Sequence, residues 1–135
     1  YSAGQEDPAA GIEKLGFKEW CALTMGHRID LARADPKLVQ WYAAEMLKTP
    51  EHVAKALIRI FTRSDVSSLL PKIICPTLLL AGGRSPIAGP DQQQVMKERL
   101  PQAHFETLED LGHGVFLLAP ERCTTAMVKF LANSC

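Results

Sequence analysis

The sequence predicts an α/β fold in which a helical front half precedes a short strand-helix-strand-helix unit. Three observations carry that reading. "CPTLLLAGG" (75–83) is an unbroken apolar run bounded by Pro76 and by Gly82-Gly83. With no alternation, it reads as a strand buried on both faces, as in a parallel sheet. "QAHFETLED" (102–110) alternates and is a second strand, "PDQQQVMKERL" (90–100) reads as a helix entered by Pro90, and "APERCTTAMVKFLA" (119–132) as the closing helix.

The front half is read as helical throughout. "DPAAGIEKLG" (7–16) and "FKEWCALTMGH" (17–27) give short amphipathic stretches broken by Gly11, Gly16 and Gly26. In "DPKLVQWYAAEMLK" (35–48) Asp35 is placed to N-cap and Pro36 to open the helix, with Leu38, Val39, Tyr42 and Met46 on one face. "TPEHVAKALIRIFTR" (49–63) repeats the device with Thr49 and Pro50, and Val53, Ala56, Leu57, Ile60 and Phe61 form a broad apolar stripe. Such helices are half-exposed by themselves and need a surface to cover. The character changes after "SDVSSLLPKI" (64–73). The closing helix is expected to turn Cys123, Ala126, Met127, Phe130 and Leu131 inward.

Strand-helix-strand units cross over right-handed, and ligands approach the carboxyl ends of their strands. "GGRSPIAG" (82–89) and "LEDLGHG" (108–114) both leave such an end. The two stretches therefore share one rim of the sheet. They carry Ser85 and His113.

Composition narrows the function classes. A length of 135 residues is enough for one domain with a core and too short for two independent ones. Fifteen basic residues balance fifteen acidic ones, so charge favours neither nucleic acid nor an anionic membrane. No apolar run approaches the roughly 18 residues of a membrane span. Cys21, Cys75, Cys123 and Cys135 form no C-x-x-C pair and read as free thiols in a reducing, cytoplasmic compartment. The chain opens "YSAGQEDPAAG" without an initiator Met, which points to an internal piece of a longer protein.

Taken together, "PTLLLAGGRSPIAGP" and "ERLPQAHFETLEDLGHGVFLLAPERCTTAMVKFL" resemble the last third of α/β-hydrolase-fold proteins. The agreement runs from Ile74 to Leu131, with matches at Pro76, Thr77, Gly82, Pro86, Pro101, Gly112, His113, Pro120, Glu121 and Phe130-Leu131. The resemblance implies residues 1–70 as a helical cap or lid and residues 71–135 as the C-terminal part of the hydrolase core, with the earlier strands absent from this chain. The run into "DVSSLLPKIICPTLLL" is most similar to 3-oxoadipate enol-lactonase-type hydrolases, with meta-cleavage-product hydrolases and esterases close behind.

By the same resemblance His113 occupies the general-base position, where an imidazole takes the proton of an attacking serine. Read alone, a glycine-flanked histidine is more often an ordinary loop residue. The acid departs from the family pattern: Ser85 stands where the family has Asp, with Arg84 just before it. A serine cannot stabilise imidazolium with a full charge, and an inward guanidinium would oppose that charge further. Making the acid neutral costs on the order of 10⁴-fold in serine proteases. Asp91, Asp110 and Glu109 are nearby acids: Asp91 reads as a helix-start acid, Asp110 lies too close in sequence to reach behind the ring easily, and an acid from the preceding strand's loop is the remaining alternative.

No G-x-S-x-G elbow and no H-G-G-G loop occurs in the 135 residues. The resemblance therefore implies a nucleophile on another chain, an N-terminal hydrolase half that also supplies the preceding strands; the alternative for the open strand edge is pairing with a second copy in a homodimer. A strand like "TLLLAG" left at a sheet edge would be an aggregation hazard. Trp20, Met25, Trp41 and Tyr42 would suit an apolar substrate pocket under a cap, and suit a plain cap core better. His27, His52 and His104 read as helix-end, solvated and strand-edge residues. No histidine has zinc-ligand spacing, and the chemistry calls for no cofactor. Two readings follow: a hydrolase portion acting on a small apolar ester, lactone or vinylogous carbonyl substrate, or a non-catalytic module that binds such a ligand or a partner.

Overall fold

The computed structural model describes residues 2–134, so the reading of Cys135 as a free thiol lies outside the described residues. The chain divides into two compact units with the boundary between Ser64 and Asp65. Each unit gathers its own cluster of buried apolar residues. One gathers on Ile12, Trp20 and Cys21, and the other on Leu108, Leu111, Val115 and Cys123.

The first unit holds α1 (Pro8–Leu15), α2 (Phe17–Leu23), α3 (Met25–Arg28), α4 (Pro36–Leu47) and α5 (Glu51–Arg63). Asp7 and Asp35 cap α1 and α4 by accepting from the Ala10 and Lys37 amides, both at 2.8 Å, each with proline opening the helix. The Thr49 cap does not form. Pro50 is the N-cap residue of α5, and no side chain bonds the helix start.

Trp20 is the hub of this unit. Phe17 stacks on it at 6.1 Å, and the Arg28 guanidinium sits 4.4 Å from its ring centroid. Arg28 is nonetheless buried, because its Nη1 donates to the Thr24 carbonyl at 2.7 Å and to Thr24 Oγ1 at 2.6 Å. A buried cation needs such partners. On α5 the inward face is Ala54 and Ile58. The stripe of Leu57, Ile60 and Phe61 faces outward, with Phe61 69% exposed.

The second unit begins with a 3₁₀ turn at Ser67–Lys72, which the sequence did not announce. It continues with β1 (Thr77–Gly82), α6 (Pro90–Arg99), β2 (Ala103–Leu108), α7 (Val115–Leu118) and α8 (Pro120–Ser134). β1 and β2 pair in parallel from Thr77 opposite Ala103 to Gly82 opposite Leu108. Both carboxyl ends therefore lie at the same end of the sheet, as expected. The strand read as doubly buried is half-buried in this chain, since β2 is its one pairing neighbour among the described residues. On α8 Cys123 and Ala126 turn inward, whereas Met127 and Leu131 are more than half exposed and flank Leu78 and Leu80 of β1 on an open apolar surface.

Candidate active site at the strand ends

Two loops leave the rim of the sheet and are held against each other by backbone contacts. The Gly83 amide donates to the Leu108 carbonyl at 3.0 Å, and the Arg84 amide to the Leu111 carbonyl at 2.9 Å. This approach requires Gly82 and Gly83. A Cβ at Gly82 would overlap the Gly112 carbonyl oxygen, and one at Gly83 would come 2.7 Å from the Glu109 Cα. Gly114 follows His113 in the left-handed region at φ 76°, a conformation other residues adopt at a cost. It turns the chain into α7 directly after the imidazole.

The result brings Ser85 and His113 together. Ser85 Oγ lies 3.1 Å from His113 Nδ1, although 28 positions separate the two residues in the chain. Ser85 is 8% exposed and His113 is half-buried. The same Ser85 oxygen accepts from the Ile87 amide at 3.3 Å and from the Ala88 amide at 3.0 Å. Its loop is braced from behind by Gln93 on α6, whose Nε2 donates to the Ala88 carbonyl at 2.9 Å. Gln93 is buried, and nothing in the run "DQQQV" singles it out from its two neighbours.

Arg84 is exposed, so its guanidinium does not lie inward as the sequence allowed. Both oxygens of Asp110 accept from Arg122 Nη1, at 3.0 and 3.1 Å. Asp91 stands in the first turn of α6. Beside the imidazole is a cavity of about 190 Å³ walled by Leu80, Ser85, Met96, Phe105, His113 and Phe116. Its surface is apolar apart from the Ser85–His113 pair and Gln93. An arrangement of this kind can take an apolar group and present one imidazole to it.

A second hollow, about 280 Å³ and open to solvent, lies at the surface of the helical unit, where the outward Leu57 and Phe61 stand beside Phe17, Trp20, Arg28 and Met46. Of the four residues considered for a pocket, Trp20 lines it. Met25 is buried away from it, Trp41 projects to solvent from α4, and Tyr42 is half-buried on the same helix. His27 is half-buried on α3, and His52 and His104 are exposed on α5 and β2. Among the described residues no three His, Cys, Asp or Glu side chains converge as a metal site would need, and no helix is long and apolar enough to cross a membrane.

Burial pushes the Cys21 thiol up, opposed by the Arg28 charge. Burial likewise raises Cys123, with the neighbouring Arg122 acting to lower it. Cys75 is exposed, and all three described cysteines are free thiols.

No protein-family model matches the chain, and no curated protein is significantly similar to it. Solved structures do match. A thermophilic esterase from Thermogutta terrifontis, solved with malate bound, is 30% identical with a TM-score of 0.74, over 93% of this chain and 47% of its own. A hydrolase from Oleispira antarctica superposes with a TM-score of 0.82 at 21% identity, over 93% of this chain and 46% of its own. An esterase from Exiguobacterium antarcticum gives 0.70 at 24%, over 94% and 44%. The chain thus spans about half the length of the structures it matches. With its parallel strand pair, its flanking helices and the histidine loop at the strand ends, this chain is a C-terminal portion of the α/β-hydrolase fold.

Proposed function

We propose that the chain is the cap and C-terminal portion of a serine-type carboxylic-ester hydrolase, with His113 as the imidazole of its site. The observation that carries the reading is the 3.1 Å contact between Ser85 and His113 at the strand ends, beside an apolar cavity. In this reading residues 1–70 serve as the cap, and a serine outside these 135 residues supplies the nucleophile. That serine belongs to an N-terminal half of the hydrolase on a separate chain. His113 takes the serine proton as the carbonyl is attacked and returns it to the leaving group. The substrate class is a small apolar ester, lactone or vinylogous ketone, hydrolysed without a cofactor, and free thiols fit a cytoplasmic setting.

A second reading is favoured by Ser85 itself. With a hydroxyl at the acid position, the pair would bind a carbonyl ligand, or the surface a partner, without turnover. Native mass spectrometry of the protein from its natural source separates the two. A co-purifying chain of about 100–150 residues, the size of one missing domain, together with p-nitrophenyl ester turnover that disappears in His113→Ala, is the expected result. No partner and no His113-dependent turnover would leave the binding reading in its place.

A further inference from the structure

The oxygen of Ser85 has two lone pairs and one proton. Two backbone amides, those of Ile87 and Ala88, already donate to it. If His113 Nδ1 carried a proton, a third donor would crowd onto that oxygen. The serine hydroxyl proton would then need another acceptor in a place where the residue is only 8% exposed. If Nδ1 is bare, the count closes: two amides donate in, and the hydroxyl donates out to Nδ1 over the observed 3.1 Å. Buried polar groups settle in the arrangement that satisfies them all.

We propose that Ser85 is a positioning residue that holds the neutral imidazole of His113 in its Nε2–H tautomer. An aspartate at the same position would do the opposite, because a carboxylate only accepts and would draw the proton onto Nδ1. The consequence rests on the hydrolase reading, since it concerns the same imidazole. A general base that accepts a serine proton must do so on a bare Nε2. In this chain Nε2 carries the proton, so in the resting site that nitrogen is a donor and not a base. The basic form is reached only after the Ser85 hydroxyl turns and one amide bond is given up. The substitution at the acid position therefore changes the direction of the hydrogen bond, and not merely its charge.

Long-range ¹H–¹⁵N correlation spectra of the uniformly labelled full chain test this at about pH 8.5, two units above the ordinary imidazole pKa. His113 is assigned by the signals that vanish in His113→Gln. The expected pattern is an unprotonated, far-downfield shift on Nδ1 and a protonated shift on Nε2, with no averaging between them. Ser85→Asp should move the downfield shift to Nε2. Ser85→Ala should relax the pattern toward the averaged mixture of free imidazole, which itself leans to Nε2–H. A downfield Nε2 in the parent overturns the inference, as does a parent spectrum identical to that of Ser85→Ala. Ester turnover is read separately. His113-dependent turnover with Nδ1–H in the parent sinks the inference and spares the hydrolase, whereas the Nε2–H pattern without turnover does the reverse.

Discussion

Gly82 and Gly112 are packed so closely that the space a Cβ would need at Gly82 is filled by the Gly112 carbonyl. The contact joins the end of β1 to the loop that carries the imidazole. It positions Ser85, three residues after Gly82, against His113, the residue after Gly112.

Gly82→Ala is therefore expected to push the two loops apart. Overpacking of this kind costs about 1–3 kcal/mol, which a urea titration of the full chain would read as a lower midpoint. The His113 side-chain resonances should shift in the same variant, because the contact with Ser85 lengthens. An unchanged midpoint would show that the loops reach their positions by some other constraint.

Gln93→Leu keeps the volume and removes the donor to the Ala88 carbonyl. A fully buried carbonyl left without its partner costs about 1–3 kcal/mol, and the half-buried Ala88 carbonyl sets the lower end of that range as the expected loss. The loss should appear in the denaturation midpoint, together with faster amide exchange at Ile87 and Ala88. Protection at those two amides that matches the parent would remove Gln93 from the frame of the site.

The helical unit offers a contrast between two aromatic residues. Trp20→Ala empties the hub on which Arg28 and Phe17 rest, and removing a buried aromatic costs about 3–5 kcal/mol. Phe61→Ser, on the outward stripe, should stay within about 0.5 kcal/mol. It should also reduce binding of a hydrophobic dye such as anilinonaphthalene sulfonate. Equal destabilisation by the two would mean that the stripe is packed in solution.

The thiols give a sign that can be checked against pH. Cys21 and Cys123 are pushed up by burial, so folding favours their protonated forms. Their contribution is complete below the unfolded thiol pKa of about 8.5 and fades as pH rises through the higher folded values. Stability should fall across that alkaline range, and Cys21→Ser with Cys123→Ser should flatten the fall. With a disulfide reagent at pH 8, exposed Cys75 should react well before either buried thiol.

Much of the second unit was legible because its signals are local. The run at 77–82, the alternation at 103–108 and Pro90 at a helix start each name an element without outside help. Their shared rim then paired Ser85 with His113. The outward turn of Leu57 and Phe61 was not legible, since an apolar stripe does not say which surface covers it. Met127 and Leu131 went astray for the same reason: periodicity gave their face of α8, and the burial of that face depends on what packs there. Gly82, Gly83 and Gln93 were missed as site residues because their reasons lie across space, in a carbonyl of another loop and a backbone turn ahead of the helix. The direction of the Ser85 hydrogen bond needed the two amides behind the oxygen, which no spacing rule reports.

The site is compact along the chain as well as in space. Only 28 positions separate the two residues that meet at the rim, and β2, which pairs with β1 just before Ser85, lies between them. Loop-closure entropy grows only with the logarithm of loop length, so doubling that separation would cost about 0.6 kcal/mol. The exposed turn at Pro101 and Gln102, at the opposite end of the strands from the rim, is thus a place where the chain can be lengthened at little loop-closure expense. The serine–imidazole pair can be inherited intact while the sequence between its members drifts.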